Sequence, residues 1–375
     1  MKAQLTTLIG AISAAALLSV ACDDKPAEPS KPSEAKKPEA TAKATPSAAP
    51  SVDKNGLPIP PKNLLKLKIP DDNEMTKEKV ELGHQLFFDK RLSVDGSRSC
   101  YSCHMNEDGT GGHDPLAIGA GDKPLTRHAP AMWNVAYLPK LYWDGRADSL
   151  EAQMKGAWAG GNMGVGKDKL EDKAKEIAKI EGYAKQFEAV FGKDSVTPDN
   201  IAKAVSAYER TLFCADTKWD KSMAGDKSAM SSDEQAGWEL FVGKAACNTC
   251  HTPPMFSDAF AVADGAFHNT GVGIEGKKPE EVDPGRKAIS KSETDFAAFK
   301  TPSLRNVAKT APYFHDGHAK TLEEAVKFMA SGGYDNPNKD SRLVDKKLSD
   351  AEIKQIVAFL GALNCEGKLE EPKLP

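Results

Sequence analysis

Cys100-Tyr101-Ser102-Cys103-His104 and Cys247-Asn248-Thr249-Cys250-His251 share one pattern, C-x-x-C-H, 147 residues apart. In an exported chain this pentapeptide is the attachment signature of a c-type haem: two thiols spaced for thioether bonds to the vinyl groups, and a His beside them as proximal iron ligand. One such pair would also suit zinc or redox chemistry. Two of them, with no further paired Cys/His set to complete a zinc site, point to two covalently bound haem c groups.

The flanks repeat as well. Gly83-His84-Gln85-Leu86-Phe87 leads into the first site and Gly237-Trp238-Glu239-Leu240-Phe241 into the second. Both read G-x-x-L-F on a helix, which implies two related modules in tandem. Ser232-x-x-Gln235 has the form of a capping box at the start of the second of these helices. Thr197-Pro198 opens another helix, with Ile201, Val205, Tyr208 and Leu212 on one face. Ser349-x-x-Glu352 opens a further one, carrying Ile353, Ile356, Val357 and Leu360. No stretch sustains period-two alternation, so the expected fold is mainly α, with the two related haem modules in tandem.

The chain has 375 residues, and 50 Lys plus Arg against 54 Asp plus Glu give a net charge of -4. That balance argues against a nucleic-acid binder, which would show a basic excess. Hydrophobic residues make up 40% and aromatics 7%, low for this length and consistent with two macrocycles filling part of the cores. The composition excludes a polytopic membrane protein and a small disulfide scaffold.

Residues 1–22 have the form of an export signal, with Lys2, an apolar run from Leu8 to Val20, and small residues before Cys22. The run is too short for a spanning helix. Leu18-Ser19-Val20-Ala21-Cys22 resembles a lipobox, so Cys22 is expected as a lipidated N-terminus, with an ordinary cleaved signal as the alternative. Residues 23–60 are expected as a disordered linker. Positions 23–56 hold six Pro, six Lys and six Asp plus Glu with no aromatic, Leu or Ile, too little apolar area to offset ordering entropy. A periplasmic protein held at a membrane through its lipid alone follows. The folded part divides by expectation into domains at 61–225 and 226–375.

Thr321-x-x-Glu324 caps a short helix that aligns Leu322, Val326 and Met329, a face on which Met329 is equally suited to the core or to a thioether ligand. Six histidines beyond His104 and His251 (His84, His113, His128, His268, His315 and His318) are not ranked by spacing.

Phe87-Phe88-Asp89-Lys90-Arg91-Leu92-Ser93, Arg127-His128-Ala129-Pro130, Tyr142-Trp143-Asp144-Gly145-Arg146-Ala147, Lys300-Thr301-Pro302-Ser303-Leu304-Arg305-Asn306-Val307 and Ala311-Pro312-Tyr313-Phe314-His315-Asp316-Gly317 resemble, in family order over about residues 75–363, the bacterial di-haem cytochrome c peroxidases, a family that includes MauG-type enzymes. The resemblance implies a mainly α fold of two tandem cytochrome c-like domains, each with one covalently bound c-type haem, in which His104 is the proximal ligand of a peroxidatic haem and His251 that of an electron-accepting haem. Met329 then falls where the family's axial Met sits, a position held by Tyr in MauG-type enzymes. Trp143 matches the relay between the haems, and Gln153 a distal catalytic residue. Implied partners are hydrogen peroxide and a small cytochrome c or cupredoxin donor, in a chain that can form a homodimer.

Three positions depart from the family. Ala120 stands where many members hold a distal His, so the first haem should be open, with His113 the alternative ligand. Asn162 stands where a distal Glu is expected; Glu151 and Asp148 are the nearby acids. His128 replaces an Asn of the family's calcium site, whose other ligands would be backbone oxygens of Thr310 and Pro312. A Ca2+ ion is therefore expected to be weakly held. Cys214 and Cys365 each follow a helix and, in an exported chain, suit a disulfide. The main expectation is a peroxidase; the alternatives are a MauG-type oxidase acting on a residue of a partner protein, or a low-turnover tethered electron carrier or peroxide sensor.

Overall fold

Helix α1 (Lys77–Phe88) is capped by Thr76, whose hydroxyl accepts from Lys79 N, and ends just before the first C-x-x-C-H. The computed structural model describes residues 52–375; the expected export signal, Cys22 and the linker up to residue 51 lie outside that range. Residues 52–60, expected as disordered, instead form a turn. Val52 bridges Pro58, and Asp53 Oδ1 accepts from the amides of Asn55 and Leu57 at 2.8 and 2.9 Å. The Asp-Lys-Asn-Gly sequence supplies that turn locally, without a core.

After α1 come α2 (Leu150–Ala159), α3 (Leu170–Ala178), α4 (Glu181–Phe191) and α5 (Pro198–Glu209), then α6 (Lys218–Met223) and α7 (Ser232–Val242). A four-residue α8 (Lys287–Ser290), α9 (Leu322–Ala330) and α10 (Asp350–Gly361) complete the α-helices among the described residues. Two-residue strands, Phe267–His268 and Phe299–Lys300, pair antiparallel. The protein is mostly helical, as the periodicity implied.

One crossing is built twice. Helix α1 packs on α5 and α7 on α10. At each crossing a glycine admits the partner backbone: a Cβ at Gly83 would strike the Ala204 carbonyl, and one at Gly237 the Gln355 carbonyl. The two G-x-x-L-F glycines are therefore contact points between helices. The capping box of α7 sits one residue earlier than Ser232-x-x-Gln235: Ser231 is the cap, and the Glu234 carboxylate returns to Ser231 N at 2.7 Å.

The loops repeat too. Leu141 bridges Ala147 and Tyr313 bridges Ala319. Asn134 and Asn306 both take left-handed φ values, 60° and 68°. Their amides donate to Leu212 and Leu363 carbonyls at 2.9 and 2.8 Å, and their Oδ1 atoms accept from Cys214 N and Cys365 N at 3.0 and 3.1 Å. Corresponding residues can thus be read off. Ala157 in α2 and Met329 in α9 are each the eighth residue past their caps, Ser149 and Thr321. Glu209 and Leu360 each stand five before the cysteine that follows their helix.

Cys214 and Cys365 are joined by a disulfide, Cα–Cα 5.5 Å, so the bridge links corresponding positions of the two modules. One core gathers Leu82, Leu86, Phe87, Trp158, Tyr183, Phe187 and Val205; a second gathers Trp219, Phe241, Phe256, Ile356 and Phe359. The expected boundary at 225/226 does not follow the packing. Trp219 belongs to the second core, while Cys365 and Leu369 belong to the first. The C-terminal tail thus returns to the first module, where Asn106 and Leu369 exchange two hydrogen bonds at 2.9 and 2.8 Å.

Candidate functional site

In the second module, the capping box of α9 closes through Thr321 and Glu324, which fixes where the helix face points. Leu322, Val326 and Met329 line one cavity together with Cys247, Cys250, His251, Leu304, Val307, Ile356 and Leu360. The space between these atoms is ≈ 1420 Å³, counting the part open to solvent, enough to receive a macrocycle. His251 Nδ1 lies 3.0 Å from the Phe256 carbonyl. A carbonyl only accepts, so Nδ1 carries the proton and Nε2 keeps its lone pair, the arrangement a metal-bound imidazole requires. Burial lowers the imidazole pKa and raises that of the Cys247 thiol to about 11.

Lys300 also lines this cavity. It is 8% exposed, and burial lowers its ammonium pKa to about 8. A buried cation on an apolar cavity wants a carboxylate partner, which the propionates of a haem would supply. Arg342 and Lys346 reach the same rim. Sequence reading missed these three cations because nothing local distinguishes them from surface charges. The residues of this module fit a c-type haem, which Cys247, Cys250 and His251 would hold, and Met329 lines the same cavity.

In the first module Cys100, Cys103 and His104 follow α1 in the same way. His104 Nδ1 lies 2.9 Å from the Thr110 carbonyl, again freeing Nε2, and burial lowers the pKa of this imidazole too. The Cys100 thiol is buried, which raises its pKa. The position matching Met329 is Ala157, which has no ligand atom. Ala120 and Asn162, both departures from the family, abut each other: Ala120 N donates to the Asn162 carbonyl at 3.1 Å and to that of Gly161. His113, the alternative ligand, is exposed and paired with Asp108 at 3.1 Å. Gln153 is half-buried on α2, and its carbonyl accepts from the Tyr142 hydroxyl at 2.9 Å.

The two acids suggested as substitutes for the missing Glu are committed elsewhere. Glu151 is held by Arg210 at 2.8 and 3.2 Å and by Asn73 at 2.7 Å. Asp148 is 78% exposed and paired with Lys140.

Between the modules, Trp143 lines the second cavity and donates from Nε1 to the His128 carbonyl at 2.8 Å. His128 is buried, with Nδ1 2.9 Å from the Asp114 carbonyl. Arg127 spans the junction, reaching Asp283 through Nε and Nη2 at 2.7 and 2.8 Å and Asp144 through Nη1 at 2.7 Å.

Residues 77–228 match the family model described as di-haem cytochrome c peroxidase. The cytochrome-c peroxidase IdrP1 of Denitromonas iodatirespirans is 36% identical over 347 residues, covering 85% of this chain and 89% of that protein. The chain belongs to the di-haem cytochrome c peroxidase and MauG family. The methylamine utilization protein MauG of Methylorubrum extorquens is 35% identical over 309 residues, covering 82% of this chain and 84% of that one. Among solved structures, a MauG-like protein associated with microbial copper homeostasis superposes with a TM-score of 0.75 at 31% identity, over 83% of this chain and 96% of its own. Membership identifies an oxidoreductase of a di-haem family, and that family implies haem c cofactors.

Proposed function

We propose that this protein reduces hydrogen peroxide to water with electrons from a small c-type cytochrome or cupredoxin. Cys100 and Cys103 would hold one haem c covalently and Cys247 and Cys250 the other, with His104 and His251 as proximal ligands. When bound, the haems supply the redox chemistry. The observation that carries the reading is the asymmetry between Met329 and Ala157. Two modules built alike differ at this corresponding position, so one site would be closed by the thioether and the other left open to a small substrate.

The residues of the chain then divide the work. Met329 would complete the ligation of the second haem and raise its potential, suiting it to accept electrons. Trp143 would relay those electrons across the junction. Gln153, with its amide, would orient peroxide at the open site beside Asn162. His128 in place of a hard oxygen ligand leaves Thr310 and Pro312 a weak Ca2+ site. Export, and lipidation at Cys22 with a membrane tether, belong to the same proposal.

The open first site also suits a MauG-type oxidase, but Met329 favours the peroxidase. The test is the resting oxidised protein examined by EPR, followed by steady-state assay with reduced cytochrome c and peroxide. One high-spin and one low-spin haem, with peroxide-dependent oxidation of the donor, is the expected result. Two low-spin haems, or no oxidation of any c-type or copper donor, would overturn it.

A further inference from the structure

If Asn162 cannot donate a proton, and Glu151 and Asp148 are tied to Arg210 and Lys140, the first site still needs an acid: breaking an O–O bond without protonating the departing oxygen would expel hydroxide. We infer that the carboxyl of Glu209, at the end of α5, is that acid. The inference rests on the peroxidase reading and deepens it.

Three observations converge on Glu209. First, its counterpart in the second module is Leu360, which lines the second cavity. By the internal repeat Glu209 occupies the wall of the first site, with a carboxyl where the fold otherwise places an isobutyl group. Second, Glu209 is 4% exposed, and its Oε2 is sealed from solvent with no hydrogen-bond partner among the described residues. A buried carboxyl oxygen is costly to leave unmet, so Oε2 is free to engage a group brought into the site. Third, its surroundings are those of the reacting region. Its charge bears on the Cys100 thiol, which is to hold the first haem, and on the Tyr142 phenol, and the Tyr142 hydroxyl is bonded to the Gln153 carbonyl. Helix α2, which carries Gln153 and Ala157, packs against α5.

The groups whose charge acts on Glu209, or on which its charge acts, are Arg210 and Tyr208 on its own helix, Glu151 from α2, Tyr142 from the preceding loop and Cys100. Burial dominates, and it raises the carboxyl pKa to about 8 against the opposing pull of Arg210. Glu209 is therefore mostly protonated at neutral pH, ready to donate.

The step balances. Glu209 gives its proton to the oxygen that leaves, the O–O bond breaks with its electron pair on that oxygen, and one water departs. Two electrons from the external donor and protons from solvent reduce the remaining oxygen to the second water and restore the carboxyl.

The experiment uses the haem-loaded protein and two variants, Glu209→Gln and Glu209→Leu, the latter reproducing the lining of the other module. Haem content is measured first, so that a loss of loading is not read as a loss of chemistry. The infrared spectrum of the resting wild type should show a deuterium-sensitive C=O band of a protonated carboxyl that both variants lack. The bimolecular reaction with peroxide should fall about 10²–10³-fold in both variants. The wild-type rate should decline above pH about 8, where the carboxyl ionises, and the residual rate of Glu209→Gln should be free of that limb. A reactive wild type with equally reactive variants would overturn the inference while leaving the peroxidase reading in place. A wild type inert to peroxide would remove the peroxidase reading itself.

Discussion

Trp143 and His315 occupy corresponding places in the two modules and face each other across the junction, ring centroids 6.4 Å apart in an edge-to-face arrangement. Each is tied to the other module through its backbone. The Trp143 carbonyl accepts from Lys300 N at 2.8 Å and the His315 carbonyl from His128 N at 2.7 Å. The pair of reciprocal bonds holds the aromatic contact in one geometry, as the proposed electron relay through Trp143 would require. His315 is further fixed by Phe299, stacked on it at 3.7 Å.

Trp143→Phe keeps an aromatic ring but removes the Nε1 bond to the His128 carbonyl. Donor-driven turnover should drop by about tenfold or more, ~1.4 kcal/mol in the limiting step. The first reaction of oxidised protein with peroxide should stay within twofold of wild type. Stopped-flow traces of the two steps separate them; equal slowing of both would show that Trp143 acts on the site and not on transfer between sites.

The Cys214–Cys365 bridge closes a separation of 151 residues and ties the α5 end of one module to the α10 end of the other. Its removal by paired Cys→Ala substitutions should cost ~2–5 kcal/mol, a fall in Tm of roughly 5–15 °C for modules of this size. The comparison is made on haem-loaded protein by calorimetry. The hydrogen bonds between Asn106 and Leu369 remain, so the tail should stay docked, and unchanged amide exchange at Leu369 would verify that.

What was legible in the chain was local. Thr321 and Glu324 sit three apart before an apolar face, so α9 and the direction of Met329 could be read from the sequence, and C-x-x-C-H marked the two sites proposed for haem attachment. At α7 two adjacent serines could both cap, and the return of Glu234 to Ser231 decided for the earlier one. The module boundary could not be read, because Trp219 joins Phe256 at 4.8 Å and the tail crosses back at Leu369, both long-range events. Glu209 was hidden for the same reason: it follows Tyr208 on an apolar helix, and the groups that give it meaning come from α2 and from the segment after α1. The internal repeat, carried as far as Leu360, was the one signal that could have exposed it.

Arg305 and Asp220 form a buried pair, 2.7 and 2.8 Å through Nη1 and Nη2, with side chains 0% and 5% exposed. Arg305→Met would leave the Asp220 carboxylate buried without a counter-ion, held only by Thr217 N, Thr217 Oγ1 and Asn63 Nδ2, and should cost ~3 kcal/mol in urea unfolding. Burial alone would raise the Asp220 pKa, but bonds and charge from Arg305, with the bonds from Thr217, outweigh it and the net shift is downward. The pair is therefore fully stabilising above pH about 4, the ordinary aspartate pKa. Its contribution is withdrawn as pH falls from there through the lowered folded value. Wild type should lose stability over that acid range more steeply than Arg305→Met, and parallel curves would contradict the assignment.

Met329→His tests the asymmetry on which the functional reading stands. A thioether favours reduced iron and raises the haem potential, whereas an imidazole lowers it. The face of α9 that carries Met329 lines the same cavity as His251, and an imidazole there should still close the second site. The variant should remain low-spin at that haem, lose the sulfur-to-iron charge-transfer band, and titrate at a lower potential. The donor would then be unable to reduce it, so steady-state turnover should fall while the first encounter with peroxide proceeds normally. If the potential does not move and the charge-transfer band is absent from wild type as well, Met329 is a core residue and the open and closed sites must be assigned anew.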